Sequence, residues 1–176
     1  MKKLLLLRHA KAVSHDEKHD KARALNSRGR SDSESMGRVM HREQYLPDLV
    51  FCSTARRTVE TWEHLAPELK CNSEVRFFDE LYDATATAIF ACARRAESGA
   101  RTVLMIGHNP GIHDCARMLA RNPMDDEENG RVAALRGKFP TSALAVFGIE
   151  ADAWENTAPA MGALLNFLTP RGLDAD

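Results

Sequence analysis

The chain is poor in the features that staple, anchor or broadly charge a protein. Its four cysteines stand at 52, 71, 92 and 115, each about twenty residues from the next. That spacing offers no CxxC pair and no zinc-like cluster, so reduced thiols in a cytoplasmic protein are expected. No apolar run approaches the ~20 residues of a membrane span. Only four leucines separate Lys3 from Arg8, too few for the core of a signal peptide but right for a buried strand. An excess of charge is missing too: 24 Lys and Arg face 25 Asp and Glu, a formal net charge of -1. That balance argues against a nucleic-acid binder or a disordered acidic tail, though basic groups can still gather in one cleft. Aromatics make up 6% of the chain. Trp62 and Trp154 lack the interleaved basic residues of a base-stacking platform and are expected as core or partly buried aromatics.

What is present is apolar, alternating and evenly spread. With 176 residues, 44% of them hydrophobic, the chain suffices for one domain over 1–176 with one sizeable core. Lys2 to Leu7 and Thr102 to Ile106 are apolar on both faces, as strands of a covered parallel sheet are. Further strands are expected at 47–52, 75–77, 142–149 and 161–168. Helices are expected at 27–43 and at 55–66, the latter capped by Thr54 and stopped by Pro67. Two more are expected at 85–97, closed by Gly99, and at 110–121, with Asn109 as N-cap and Pro110 at the first helical position. The acidic run Asp125 to Glu128 reads as a solvated helix start or loop. Strand and helix alternate without internal repeats, which predicts a three-layer α/β/α sandwich with a mostly parallel central sheet. A self-sufficient domain makes a monomer the expected state.

Two strand ends attract attention. Arg8 and His9 follow the first apolar strand at once, and His108 follows the strand ending at Ile106. In an open α/β sheet, ligands bind beyond the carboxyl ends of the strands. Both histidines would then face one crevice, joined by Ser53, Thr54, Arg56 and Arg57 from the loop after the strand at 47–52. Arginines offer a rigid fork to phosphate oxygens, and a histidine with one nitrogen unprotonated can attack phosphorus. On the residues alone, His9 serves equally well as a structural strand-end histidine, and so does His108. Of the adjacent arginines, only one readily points inward.

The run Arg8-His9-Ala10-Lys11 resembles the RHG signature of the histidine phosphatase superfamily, the phosphoglycerate-mutase-like fold. Ser53-Thr54-Ala55-Arg56-Arg57-Thr58-Val59-Glu60-Thr61 resembles that family's second stretch and places Arg57, not Arg56, in the phosphate pocket. Ile106-Gly107-His108-Asn109-Pro110 resembles its second-histidine loop. The short chain and Phe139-Pro140-Thr141-Ser142-Ala143 resemble the compact SixA-type branch, the phosphohistidine phosphatases. The resemblance covers the whole chain and implies hydrolysis in two steps, through phosphohistidine on His9. Arg8, Arg57 and His108 would hold the phosphoryl oxygens, Ser53 and Asn109 would help bind substrate, and no metal or organic cofactor is implied. The implied partner is a protein carrying phosphohistidine. A small phosphomonoester or phosphoserine is the alternative substrate, and a non-enzymatic phosphate-binding module is the alternative class.

The family's glycine is replaced here by Ala10, which is tolerable where the backbone is not left-handed. For a general acid, Glu80 aligns best, with Asp83 as second candidate. His15 and His19 with Asp16 and Asp20 could suggest a metal site, but no other region clearly supplies further ligands. That charged run instead offers Lys11, Lys18, Lys21 and Arg23 to an acidic protein at the pocket mouth.

Overall fold

The computed structural model describes residues 1–14 and 17–172. One six-stranded sheet runs through the molecule: β1 (Lys2–Arg8), β2 (Leu49–Ser53), β3 (Glu74–Phe78), β4 (Thr102–Gly107), β5 (Leu144–Ile149) and β6 (Gly162–Leu168), in the order β3-β2-β4-β1-β5-β6. The first four of these neighbours pair in parallel, whereas β5 joins β1, and β6 joins β5, antiparallel. Helices α1 (Ser27–Arg42) and α2 (Arg56–Leu69) cover one face, burying Met36, Met40, Leu65 and Leu69 against Leu5, Leu7, Val50 and Ile106. Helices α3 (Ala86–Ala93), α4 (Gly111–Leu119) and α5 (Asp126–Gly137) cover the other, where Ile89, Cys115 and Leu135 belong to the same core as Leu4, Leu6, Phe51 and Met105. Alternate leucines of β1 thus enter opposite cores, which is why that strand carries no polar face. The result is the expected three-layer sandwich with a largely parallel sheet.

Several local expectations are corrected. Thr54 does not cap α2: Ala55 holds the N-cap position without a side-chain bond, while the Thr54 hydroxyl donates to Asp79. Pro67 does not end α2. It lies inside the last turn, and the chain leaves the helix at Lys70 in the left-handed conformation. The missing N–H of Pro67 forfeits one helical bond and its ring crowds the preceding turn, but burial of Leu65 and Leu69 on either side of it holds the last turn in place. Asn109 does not cap α4 either. Its side chain donates to the Phe139 carbonyl instead, and the Ile112 amide bonds the His108 carbonyl. Helix α3 stops at Ala93, well before Gly99. The acidic run starts a helix through the Asp125 cap, yet Glu128 is buried rather than solvated. Its carboxylate accepts from Arg121 and from the Met124 and Leu164 amides, which offsets the cost of burying the charge. Trp154 is fully buried and donates to the Ala100 carbonyl at 2.7 Å.

One glycine shapes the approach to the site. A Cβ on Gly29 would meet the Lys11 carbonyl oxygen at 2.1 Å, so only glycine lets the first turn of α1 press against the loop after β1.

Candidate active site

The site forms where β1 and β4 end side by side. Arg8 pairs with Gly107 in the parallel register. The His9 amide then donates to the Gly107 carbonyl at 3.0 Å, and the His9 carbonyl accepts from the Ser142 amide at 3.2 Å. The backbone of His9 is therefore fixed from both sides by continuation of the sheet. A neighbouring strand end brings in His108, and the two imidazole rings lie 5.1 Å apart. Residues a hundred positions apart meet because parallel neighbours end at one edge.

The two rings are anchored differently. The Nδ1 of His9 lies 2.8 Å from the Ala10 carbonyl, which can only accept. Nδ1 therefore carries the proton, and Nε2 keeps its lone pair. In His108, Nε2 lies 2.9 Å from the Ser53 hydroxyl, which itself accepts from the Ala55 amide. No other acceptor for that hydroxyl lies among the described residues, so its proton goes to His108 Nε2, leaving Nδ1–H as a donor, and this buried nitrogen has no hydrogen-bond partner among the described residues. Burial pushes the His9 pKa down to about 3, with His108, Arg57 and Arg8 adding to the effect, while the bond to the Ala10 carbonyl opposes it. Burial likewise takes His108 down to about 3, assisted chiefly by Arg57. Both rings are neutral at ordinary pH, as a nucleophile and a neutral donor must be.

The cavity at this edge has a volume of about 670 Å³, and its wall includes Arg8, His9, Lys11, Arg23, Arg57 and Thr141. Among the described residues, that wall carries four basic side chains and no carboxylate. Arg8 donates through Nη1 to the Phe139 carbonyl, but its buried Nε has no partner among the described residues. A buried donor left unsatisfied costs about 1–3 kcal/mol. Arg8 lines the cavity beside His9, whereas His108 is not part of the wall and packs its ring against that of His9.

Arg57 is buried, whereas Arg56 is exposed and paired with Glu60. Arg57 spends two of its five N–H groups on the carbonyl and carboxylate of Asp20, at 2.7 and 3.1 Å. Asp20 also accepts from the Tyr82 hydroxyl at 2.7 Å. That bond chiefly, helped by Arg57 and Arg23, holds the Asp20 pKa at about 2. Tyr82 in turn sets its ring edge-on to His108, with centroids 5.6 Å apart. Thr61 completes the mounting: its hydroxyl accepts from the Ala10 amide and donates to the Arg57 carbonyl. Ala10 itself is not in the left-handed region, so its methyl group brings no backbone strain.

Other candidate residues fall elsewhere. Ser53 is fully buried behind His108 and orients that ring instead of lining the cavity. Asn109 bonds the same Phe139 carbonyl that Arg8 holds. The Glu80 carboxylate is exposed and paired with Arg95, a surface cation stacked on Phe78, so it is engaged away from the cavity wall. Asp83 is exposed on a left-handed turn. Lys21 pairs with Asp79. His15 and Asp16 lie outside the described residues, and so does the metal reading that needs them. Among the described residues no group of three or more His, Cys, Asp or Glu side chains could hold a metal ion. All four cysteines are free.

Sequence reasoning missed Asp20 and Tyr82 as members of the site. Each reaches its partner across dozens of residues, and neither sits at a strand end. Thr61 was visible only as part of a resemblance, with no role attached.

Comparison with known proteins identifies the family. Residues 4–86 match the histidine phosphatase superfamily (branch 1). The structure of SixA from Nakamurella multipartitia is 30% identical, covers 96% of each chain and superposes with a TM-score of 0.83. That of SixA from Agrobacterium tumefaciens is 27% identical over 96% of this chain and 98% of its own, with a TM-score of 0.77. An uncharacterised protein of Mycobacterium tuberculosis is 29% identical over 94% of this chain and its own full length. This chain, with its α/β/α fold, belongs to the histidine phosphatase superfamily and is a phosphatase-type hydrolase.

Proposed function

We propose that the protein removes phosphoryl groups from phosphohistidine in a protein partner. His9 Nε2 attacks phosphorus in line with the leaving nitrogen. The new N–P bond forms as the old one breaks, and the phosphoryl charge spreads over oxygens held by Arg8, Arg57 and His108 Nδ1–H. The leaving imidazole, protonated on its other nitrogen, departs neutral. Water then attacks phosphohistidine on His9. The His9–phosphorus bond breaks, Nε2 regains its lone pair, and the protons of water leave with inorganic phosphate or solvent.

The observation that carries this choice of substrate is the state of the carboxylates. Asp20 is held ionised at about 2, and Glu80 is tied to Arg95. Neither offers a proton to an alkoxide leaving group, which an alkyl phosphate requires. A phosphoramidate needs no such donor, because its leaving nitrogen departs as neutral imidazole. The Nakamurella and Agrobacterium relatives both carry the name of the phosphohistidine phosphatase SixA, which supports the same reading.

The test is phosphate release from a phosphotransfer domain charged on histidine, set beside p-nitrophenyl phosphate and phosphoserine. Faster turnover of the charged domain is expected. No release from it, alongside brisk hydrolysis of a small ester, overturns the proposal.

A further inference from the structure

A second hollow of about 300 Å³ adjoins the catalytic cavity and shares Lys11 and Thr141 with it. Four basic side chains line it: Lys11, Arg28, Lys138 and Arg171, all exposed. The one carboxylate among its described lining residues, Asp32, lies 3.6 Å from Arg28. Lys11, Lys138 and Arg171 have no carboxylate partner among the described residues. The described lining of the hollow is therefore strongly basic in a protein whose formal net charge is -1.

Its walls are tied to the catalytic residues. The Lys11 backbone is pressed against Gly29, which leaves no room for a side chain there. Lys138 precedes Phe139, whose carbonyl accepts from both Arg8 and Asn109 at 2.9 Å. The hollow thus stands at a fixed offset from Arg8, as a recognition subsite must. We infer that this basic hollow is a specificity subsite for an acidic side chain that neighbours the phosphohistidine of the protein substrate. The inference rests on the phosphohistidine reading above and names what else that substrate must carry.

Lone exposed ion pairs contribute little in water. An acidic group tethered to a phosphoryl group already bound is another matter, since the tether supplies it at high effective concentration. Charge placement of this kind also favours the right partner during encounter and disfavours basic ones. Exposed lysines and arginines around an open hollow suit the surface of a macromolecule better than an enclosed small molecule.

Two peptides test the inference, each carrying a non-hydrolysable phosphonate analogue of phosphohistidine and differing only in flanking Asp or Asn residues. Both compete against hydrolysis of p-nitrophenyl phosphate, and the readout is the ratio of their inhibition constants. The wild-type protein should prefer the acidic peptide about tenfold, equivalent to ~1.4 kcal/mol. The preference should fall towards unity in about 0.5 M salt. It should also fall in a Lys138→Ala, Arg171→Ala double variant and reverse in Lys138→Glu, Arg171→Glu. A ratio near unity in the wild type, or one that survives the charge reversal, overturns the inference alone. Inorganic phosphate competing while neither peptide does overturns the phosphohistidine reading and the inference with it.

Discussion

The loops that follow β1 and β4 each present one buried histidine to the same edge of the sheet, yet they anchor the two rings by opposite nitrogens. Both imidazoles are held neutral by burial, and hydrogen bonding assigns both the same tautomer, with the proton on Nδ1. The difference lies in which nitrogen is anchored. A backbone carbonyl takes the proton-bearing side of His9 and leaves a lone pair. A serine hydroxyl takes the lone-pair side of His108 and leaves a proton. One ring can therefore attack phosphorus while the other donates to its oxygens. In the proposed mechanism, what separates nucleophile from oxyanion donor is which ring nitrogen is anchored, not the histidine's own chemistry.

Removing each ring should separate their roles. His9→Ala should lower kcat by on the order of 10^5-fold, since no other group described at the site can form the covalent intermediate. His108→Ala should lower kcat by about 10^2–10^3-fold, the usual loss for one oxyanion donor, while still accumulating phosphate on His9. Steady-state kinetics together with a quench experiment distinguishes the two. Equal losses in both variants, with no phosphoenzyme in either, would abolish the proposed division of labour.

The anchors sharpen the comparison further. Ser53→Ala should cost about tenfold in kcat with little change in KM, because His108 loses its orienting bond while the arginines remain. Unchanged kcat in a folded Ser53→Ala protein would mean that the serine does not set the ring. Burial of the two neutral rings also predicts a stability effect. Their native pKa values are depressed, so the unfolded chain takes up protons first as pH falls below about 6.5. Stability should therefore be lost between about pH 6.5 and 3, by on the order of 1 kcal/mol per pH unit for each histidine. Urea melts of wild type and His108→Asn should show a shallower pH slope in the variant. At the bottom of the scale, Glu80→Gln should leave turnover of protein phosphohistidine within about twofold, because that carboxylate is already paired at the surface with Arg95. A loss beyond tenfold would restore it as the acid.

The fold was legible because its signals are regular. Leu4 to Leu7 and Val103 to Ile106 bury both faces, and that pattern marks central strands covered on both sides. The meeting of Arg8, His9 and His108 followed from topology, since parallel strands end together. Helix termini were less legible. Thr54 and Asn109 have the right chemistry for capping, but tertiary partners, Asp79 and the Phe139 carbonyl, claim their side chains. The Asp20–Arg57–Tyr82 contacts were invisible for the same reason: no spacing rule links three residues spread over sixty positions. Glu128 shows the converse, a carboxylate in an acidic run that the fold buries because donors converge on it.

The division between the two histidines is tested most directly by rapid quench of the wild-type protein with a phosphohistidine-charged domain, followed by intact-mass measurement and peptide mapping. The account predicts one phosphoryl group on His9, formed and lost at rates that support turnover, and absent in His9→Ala. A phosphoryl group on His108 or elsewhere, or full turnover with no phosphoenzyme at all, would contradict it.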